Sequence, residues 1–280
     1  MPQRHYEPPY RTRGARLLTA LVYGLVCHGI FAAAAVAMVL GMYFGMSAGL
    51  GRLTAPWSWI ADSLLILQFP IGHSLLLTRR GQRILCTFAP KAVAADLSTT
   101  TYVILASLQI FVLFALWTPS GVLWWQATGW LLAMVSALYA MAWLLVGKAS
   151  FDAGLEVQSG MLGWVSLARG VKPVYPDMPT SGQFAYSRQP IYSSFALTLW
   201  SVPTWTPDQL LLAVTLTLYC LIGPLFKERR FARFFGEQFK AYQRTVPYWV
   251  PRWRPSEPGR PKRTRSPVRS SALEDTSEQS

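Results

Sequence analysis

The fold is decided by residues 191–226, IYSSFALTLWSVPTWTPDQLLLAVTLTLYCLIGPLF, a stretch that contains neither lysine nor arginine. A straight helix of this length would reach ~54 Å, well beyond the ~30 Å hydrocarbon core of a bilayer. The sequence PTWTPD at residues 203–208 lies in its middle and disfavours a continuous helix. The stretch therefore predicts a helical hairpin with arms over residues 191–203 and 208–226.

Four further apolar stretches precede the hairpin, each close to the ~20 residues that a helix needs to cross a bilayer. They cover residues 17–40, 57–77, 99–117 and 123–146. Arginines stand before the first stretch, as in a signal peptide, but the stretch exceeds the ~7–15 apolar residues of such a signal and more spans follow. The pattern predicts an all-α, polytopic membrane bundle of about six transmembrane helices, with the hairpin as the last two.

The positions of lysine and arginine predict the orientation of this bundle. With six crossings, only Arg52 of the 26 lysine and arginine residues falls on the side opposite the N-terminus. Cytoplasmic loops carry the excess of these residues, whereas five crossings would place the basic C-terminal region outside. We therefore expect a multi-pass protein of a bacterial inner membrane with both termini in the cytoplasm.

The composition narrows the classes of partner. A formal net charge of +13 could indicate nucleic acid, but only 14% of residues are charged and the basic ones avoid the apolar stretches. Anionic lipid headgroups explain this distribution better. No two side chains have the spacing of metal ligands among Cys27, Cys86, Cys220, His5, His28 and His73. We expect membrane lipids as partners, and neither nucleic acid nor metal.

The chain divides into three parts by composition: a basic cytoplasmic N-terminus over residues 1–16, a membrane domain over 17–251 and a cytoplasmic tail over 252–280. The tail is rich in Pro, Ser and Arg, which predicts disorder. After the hairpin, residues 227–244 place aromatic side chains at helical spacing between basic ones, at Phe231, Phe234, Phe235, Phe239 and Tyr242. This segment is typical of an interfacial amphipathic helix.

The hairpin also predicts where chemistry lies, because a pair of antiparallel helices returns its two ends to the same membrane face. Arg188 precedes the first arm and Glu228 follows the second, so we expect them to be neighbours. The pair could be an ion pair without further function. It could equally border a cytosol-facing pocket, in which an arginine holds a carboxylate and Glu228 an amine or hydroxyl of a small molecule.

The sequence around the hairpin resembles a known enzyme family. The motifs are Gly182-x-Phe184-x-x-x-Arg188-Gln189-Pro190-x-Tyr192, Trp200-x-x-Pro203-Thr204-x-Thr206, Glu228-Arg229 and Gly236-x-x-Phe239-x-x-Tyr242-x-x-x-Val246-Pro247. They resemble the integral membrane methyltransferases that use S-adenosylmethionine, which include isoprenylcysteine carboxyl methyltransferases and phospholipid N-methyltransferases. Upstream segments are closest to the methanethiol S-methyltransferase and NnrU-like branch, namely Gly72-His73-Ser74, Ser98-Thr99-Thr100-Thr101-Tyr102 and Trp117-Thr118-Pro119. The resemblance covers most of residues 60–251.

This resemblance implies a methyltransferase with S-adenosylmethionine as its cofactor. It implies cofactor contacts at Gly182, Phe184, Arg188, Gln189, Pro190, Tyr192, Glu228, Arg229 and Tyr242. Two departures stand out: Gln189 occupies the position of the histidine in the usual Arg-His-Pro triplet, and Ala149-Ser150-Phe151-Asp152 stands where the S-methyltransferase branch has an Asn-His-Phe-acid run. A neutral amide at position 189 can contact a cofactor but cannot transfer protons as an imidazole does.

Methyl transfer from a sulfonium needs in-line placement and a partly desolvated nucleophile more than it needs acid or base groups. A thiol with a pKa near ~8.5 still gains from a proton acceptor. The candidate catalytic residues are Glu228, Arg188 and His73; His73 could instead be a polar partner of Ser74 inside its helix.

The leading hypothesis is S-adenosylmethionine-dependent methyl transfer to a small thiol or another small or lipophilic acceptor within the membrane. An isoprenylcysteine carboxylate or a phospholipid amine are alternative acceptors. An NADPH-dependent membrane reductase with similar C-terminal motifs, and a non-enzymatic NnrU-like membrane protein, are alternatives of other classes.

Overall fold

The computed structural model describes residues 12–254, so most of the predicted N-terminal segment and tail, residues 1–11 and 255–280, lies outside the described residues. In the described part, helices dominate and the two strands have two residues each. The elements are α1 (Arg13–Tyr43), α2 (Trp57–Leu76), α3 (Arg79–Thr87), α4 (Ser98–Ala115), β1 (Trp125–Gln126), α5 (Gly129–Asp152), α6 (Leu155–Gln158), α7 (Met161–Arg169), a 3₁₀ turn (Gly182–Ala185), α8 (Pro190–Trp200), β2 (Thr204–Trp205), α9 (Pro207–Phe235) and α10 (Glu237–Thr245).

The predicted polytopic helical bundle is confirmed. Within residues 12–254, five helices are long and apolar enough to cross a membrane, α1, α2, α4, α5 and α9. The predicted span over residues 191–203 differs, because α8 has only 11 residues and measures about 16 Å at 1.5 Å per residue. It nevertheless packs against α9 as the first arm of the predicted hairpin. The predicted fifth span is thus a short helix followed by an extended segment.

A strand pairing explains why α8 is short and why α5 begins at Gly129 rather than at the predicted residue 123. Residues 204–205 form β2, which pairs antiparallel with β1 in the register Trp125↔Trp205 and Gln126↔Thr204. Backbone groups in an apolar environment need internal partners, and these two segments satisfy each other. Each segment therefore leaves its neighbouring helix.

The loop after α1, the loop after α4 and the segment between α8 and α9 meet at one end of the bundle, as six crossings require. The loop after α1 donates from Leu50 N–H to the Ala115 carbonyl at 2.8 Å. The hydroxyl of Thr206 donates to the carbonyl of Gly45, and Ser120 N–H donates to the carboxylate of Asp208 at 3.0 Å. Since α1 ends and α9 begins here, the start of α1 and the end of α9 lie at the opposite end, which is called the basic end below.

Between the two ends, a continuous apolar core joins the crossing helices. Its fully buried members include Met42 from α1, Leu113 from α4, Leu199 from α8 and Leu216 from α9. The outward surface of the same helices carries large exposed apolar side chains, such as Leu25 at 78% and Trp130 at 77% exposure. An apolar outer surface of this extent fits contact with lipid rather than with water.

The segment predicted as one interfacial helix over residues 227–244 is built differently. Helix α9 continues to Phe235, the chain breaks at Gly236 with a φ of +54°, and α10 follows. Most of the aromatic side chains turn inward rather than toward lipid: Phe239 and Tyr242 are buried with Met178 and Val246, and Phe231 and Phe235 pack against them. Only Phe234 of the five, at 81% exposure, points outward. The aromatic stripe thus forms a small core that holds α10 to the basic end of α9.

Candidate functional site

The predicted neighbours Arg188 and Glu228 form an ion pair at the base of the hairpin. The Arg188 Nε donates to Glu228 Oε1 at 2.8 Å and Nη2 donates to Oε2 at 3.3 Å. Both side chains are largely withdrawn from solvent, with 13% and 10% exposure respectively. Two parallel hydrogen bonds between a guanidinium and a carboxylate fix direction as well as distance. The pair therefore locks the start of α8 to α9.

Arg188 also fastens the segment after α10 to this site. Its Nη1 donates to the carbonyls of Gln243 at 3.0 Å and Val246 at 2.7 Å, and its backbone N–H donates to the carbonyl of Pro247 at 2.9 Å. Its guanidinium also lies 5.5 Å from the centre of the Tyr248 ring. With its donors engaged in this way, Arg188 positions three segments of chain and is not free to hold a ligand carboxylate.

Glu228 accepts four hydrogen bonds from three side chains. Besides the two from Arg188, Oε1 accepts from Gln189 Nε2 at 2.8 Å and Oε2 accepts from Gln243 Nε2 at 2.9 Å. The residue is buried at 8% exposure. A carboxylate whose lone pairs are directed to four donors is poorly placed to take a proton from a substrate. The geometry favours the ion-pair interpretation of Glu228 and a role in positioning.

Gln189, at the position where the resemblance implies a histidine, is bonded on both sides of its amide. The amide is 2% exposed, its Nε2 donates to Glu228 and its Oε1 lies 3.5 Å from the ammonium of Lys227. Its backbone N–H donates to the hydroxyl of Ser187 at 3.2 Å. One amide thereby supplies a donor to the carboxylate and an acceptor to the lysine, which a neutral side chain can do without any change of protonation.

The loop that precedes α8 is held by two contacts. Gly182 has a φ of +60°, and a Cβ there would lie 2.3 Å from a carboxylate oxygen of Asp152, so only glycine fits. That carboxylate accepts from Gln183 N–H at 2.8 Å and also pairs with Lys148. Asp152 is a site residue that the sequence reasoning did not assign, although it is the acid retained in the run of residues 149–152.

The second contact comes from α10. The hydroxyl of Tyr242 donates to the carbonyl of Phe184 at 2.7 Å. Burial raises the pKa of the Tyr242 phenol well above its ordinary value, so the group remains a donor throughout the neutral range. Tyr242 therefore closes the loop onto the site, in agreement with its predicted position beside the other motif residues.

An aromatic enclosure around Lys227 adjoins the ion pair. The Lys227 ammonium lies 5.7, 5.8 and 5.3 Å from the ring centres of Phe184, Tyr192 and Phe231 respectively. A cavity of about 10 Å³, room for roughly one water, lies among the site residues. Its lining consists of Pro179, Phe184, Arg188, Gln189, Lys227, Glu228, Phe231, Phe239 and Tyr242. The site is thus closed, and a nucleoside-sized ligand requires side chains to move.

Two other predicted cofactor contacts lie at the margin. Pro190 is buried as the first residue of α8, where its fixed φ suits a helix start. Arg229 is exposed, and its guanidinium lies 5.5 Å from the Phe226 ring on α9 rather than toward the cavity. The structure therefore gives Pro190 a role in backbone direction and keeps Arg229 outside the network of Arg188 and Glu228.

His73 occupies a separate position in the last turn of α2. Its Nε2 lies 2.7 Å from the hydroxyl of Tyr102 on α4, and its ring packs on Phe69. The hydrogen-bond partner of the His73 ring is thus Tyr102 and not the expected Ser74. Phe69 contacts Tyr219, which in turn contacts Tyr192, so an aromatic chain connects His73 with the lysine enclosure. Within residues 12–254, no group of three or more His, Cys, Asp or Glu side chains has the geometry of a metal site.

Comparison with known proteins connects this geometry to an activity. The chain is 29% identical to the methanethiol S-methyltransferase of Pseudomonas deceptionensis over 197 residues, 70% of this chain and 74% of that protein. It is 28% identical to a methanethiol S-methyltransferase of a second Pseudomonas species over 258 residues, 88% of this chain and 97% of the relative. It is also similar to nurim of Xenopus laevis, with 28% identity over 170 residues, 56% of this chain and 57% of that protein.

No protein-family profile matches the chain, and no solved structure matches it. The relatives confirm the predicted resemblance to the methanethiol S-methyltransferase branch of membrane methyltransferases, and with it the class of enzyme. Methyltransferase names imply a methyl donor and a small-molecule acceptor. Five apolar helices together with these relatives identify an integral membrane protein.

Proposed function

We propose that the chain transfers the methyl group of S-adenosylmethionine to a small thiol such as methanethiol, at a site on the basic end of the bundle. The observation that carries the proposal is that motif residues from both ends of the hairpin meet in one hydrogen-bonded network of Arg188, Gln189 and Glu228, while Tyr242 fastens Phe184 beside it. The names of the relatives supply the class of acceptor.

The chemistry required of the protein is modest. The cofactor supplies an activated methyl group on a positively charged sulfur. The thiolate forms a bond to the methyl carbon as the bond from that carbon to the sulfonium sulfur breaks, and a thioether and S-adenosylhomocysteine result. The chain contributes in-line placement and exclusion of water, which account for much of the rate enhancement in such reactions. The rigid base of the hairpin, held by the Arg188–Glu228 pair, is suited to placement.

The residues that fit the cofactor are those around the cavity. The rings of Phe184 and Tyr192 already face a cation, as a sulfonium would require. The Arg188–Glu228 pair fixes the base of the hairpin beside these rings, and Tyr242 holds the loop that carries Phe184. Gly182 lets this loop pass close to Asp152. We infer that opening of the loop admits the cofactor.

For the proton of the thiol, we favour His73 over Glu228. The carboxylate of Glu228 is directed to four donors, whereas the ring of His73 has one hydrogen-bonding neighbour, Tyr102. A series of contacting rings, Phe69, Tyr219 and Tyr192, connects His73 with the aromatic enclosure of Lys227. The acceptor thiol would bind between His73 and the aromatic enclosure of Lys227.

A groove on the side of the bundle supports a second candidate acceptor. It measures about 420 Å³, lies between α5, α8 and α9, and has an apolar lining that includes Leu197, Trp200 and Val250. Since these helices are those that face lipid, the groove would admit a lipophilic acceptor from the bilayer. A lipid amine or an isoprenylated carboxylate is therefore the alternative to a small thiol.

The remaining assignments follow from this function. We propose residues 17–251 as the methyltransferase domain of a bacterial inner-membrane protein, and the positive-inside rule favours a cytoplasmic basic end with both termini and the cofactor entry on that side. Membrane lipids would be the further partners, and the mechanism requires neither metal nor nucleic acid.

The test is direct. Purified protein in detergent is titrated with S-adenosylmethionine and with NADPH, and then supplied with donor carrying a labelled methyl group together with methanethiol or phospholipid. We expect binding of S-adenosylmethionine only, label in a volatile thioether, and loss of binding in Arg188→Ala and Glu228→Ala. The matched control is Lys240→Ala, which changes an exposed cation of the same end. Absence of S-adenosylmethionine binding would overturn the proposal, and transfer to phospholipid alone would replace its acceptor.

A further inference from the structure

Three aromatic rings from three different elements surround one side-chain cation. Phe184 comes from the 3₁₀ turn, Tyr192 from α8 and Phe231 from α9, and all three ring centres lie within 6 Å of the Lys227 ammonium. A cation at this distance from an aromatic face is attracted by the ring quadrupole, and enclosures of several rings recognise quaternary and methylated cations. We call these three rings the onium cage.

Lys227 is held in the cage by the rings, by Gln189 and by the electrostatic attraction of Glu228, without a direct ion pair. Ion pairs join Lys148 to Asp152, Arg188 to Glu228 and Lys240 to Glu237, and among residues 12–254 no carboxylate lies within ion-pair distance of the Lys227 ammonium. Its nearest polar partner is the neutral Oε1 of Gln189 at 3.5 Å. A lysine carries its charge on a flexible four-carbon stem, which can be redirected when a competitor arrives. The occupant of the cage is therefore replaceable, whereas the rings are fixed by packing.

We propose that the onium cage is the subsite for the sulfonium of the methyl donor, and that Lys227 fills it until the donor arrives. This inference rests on the proposed function and adds Phe231, a residue that the family motifs do not assign. Two positive charges within a few ångströms of each other repel strongly in a desolvated site. A protonated Lys227 and the sulfonium therefore exclude each other from the cage.

The rings of the cage give the site a preference for donor over product, and Lys227 lowers the affinity for both. When the thiolate takes the methyl group, the sulfonium sulfur keeps the electron pair of the broken bond and becomes a neutral thioether. The neutral sulfur loses its cation–π attraction to the cage, whereas the Lys227 ammonium retains its own. Lys227 then competes with S-adenosylhomocysteine for the cage and favours release of the product.

The experiment compares the dissociation constants of S-adenosylmethionine and S-adenosylhomocysteine in detergent. Variant Phe231→Leu removes one ring, and Tyr192→Leu removes a second ring independently. The control is Phe234→Leu, which makes the same change on the same helix at an exposed position. We expect each ring variant to reduce the preference for S-adenosylmethionine by about three- to thirtyfold, the factor that corresponds to about 0.7–2 kcal/mol, with Phe234→Leu unchanged.

A second variant tests the occupant. Lys227→Met removes the competing charge and keeps the length of the side chain, with Lys240→Met as its matched control. We expect both ligands to bind at least about threefold more tightly to Lys227→Met while their ratio stays the same, since the cage itself is intact. Thermal unfolding in the same detergent identifies any variant that fails to fold.

Either of two results would overturn the inference while the proposed function stands. One is binding of S-adenosylmethionine to wild type with a preference that neither ring variant alters by more than twofold. The other is weaker binding of S-adenosylmethionine to Lys227→Met, which would make Lys227 a cofactor contact rather than a competitor. Failure of wild type to bind S-adenosylmethionine at all would overturn the proposed function, and the inference with it.

Discussion

The Arg188–Glu228 pair gives a quantitative prediction about the base of the hairpin. Glu228→Gln keeps the shape of the side chain but replaces one acceptor oxygen by an NH₂ group, which then faces two donors, one from Arg188 and one from either Gln189 or Gln243. Removal of one partner of a buried pair costs about 3–5 kcal/mol, because the other charge is left without compensation. Since both side chains keep some exposure, we expect about 2–4 kcal/mol for Glu228→Gln.

A double-mutant cycle isolates the interaction. Arg188→Met is expected to cost about 3–5 kcal/mol, because it also removes the donors to the Gln243 and Val246 carbonyls. The double variant contains neither charge and should be less destabilised than the sum, with a coupling energy of about 2–3 kcal/mol. Reversible unfolding in mixed micelles measures all four proteins. Additivity within about 0.5 kcal/mol would refute the geometry described for this pair.

The same variants separate positioning from proton transfer at Glu228. If Glu228 only positions other groups, Glu228→Gln should raise the dissociation constant of S-adenosylmethionine. Turnover at saturating cofactor should then recover a large part of the wild-type rate. Loss of a general base would instead lower the rate about 10²–10⁴-fold at unchanged affinity for the cofactor. The latter pattern would show that the four-donor geometry misrepresents the role of Glu228 during turnover.

Three further predictions concern the walls of the site. Gly182→Ala should lower the free energy of unfolding by about 2.5–5 kcal/mol, since the left-handed φ costs about 1–2 kcal/mol and the new Cβ displaces Asp152 from a backbone N–H. Gln189→Leu should lower the same free energy by about 1–3 kcal/mol, whereas Gln189→His, which keeps a donor, should stay within about 1 kcal/mol of wild type. Tyr242→Phe should weaken S-adenosylmethionine binding by about three- to tenfold in calorimetric titration, because the covering loop loses a hydrogen bond worth about 1 kcal/mol.

Matched variants show whether these effects have the stated causes. Gly121 has a φ of +73° and open space around it, so Gly121→Ala carries the backbone strain without the clash at Asp152. Equal destabilisation of Gly121→Ala and Gly182→Ala would remove the proposed steric cause. Equal stability of Gln189→Leu and Gln189→His would show that the donor to Glu228 is dispensable. For Tyr242, an unchanged affinity for S-adenosylmethionine in the phenylalanine variant would disconnect the loop from the cofactor.

The hairpin and its consequence for Arg188 and Glu228 were predictable because both depend on simple features of the sequence. Three features predict a pair of antiparallel helices: the absence of lysine and arginine over residues 191–226, the central prolines, and the unequal charge of the loops on the two sides. The short length of α8 was not predictable in the same way. It depends on the pairing of β2 with β1, whose residues are about 80 positions apart, and no local pattern of four residues indicates that contact.

The aromatic stripe after the hairpin shows a different limit of prediction from sequence. Spacing of three and four residues predicts that Phe231, Phe235 and Phe239 share a helix face, but it does not state what that face meets. Lipid headgroups, a folded-back helix and a ligand all require apolar side chains at the same spacing. The break at Gly236 turns α10 back against α9, and the face becomes the small core beside the onium cage.

The substitution of glutamine for histidine at position 189 becomes understandable only with Lys227 in view. The side chain at this position must donate to Glu228 and present an acceptor toward an ammonium. A neutral imidazole meets both demands, but next to a carboxylate it readily takes a second proton and then presents a donor to the lysine. An amide cannot make that change, so it keeps an acceptor toward Lys227 at every pH at which the protein is folded. The same property excludes position 189 from proton transfer in this chain, which leaves His73 as the group to test for that role.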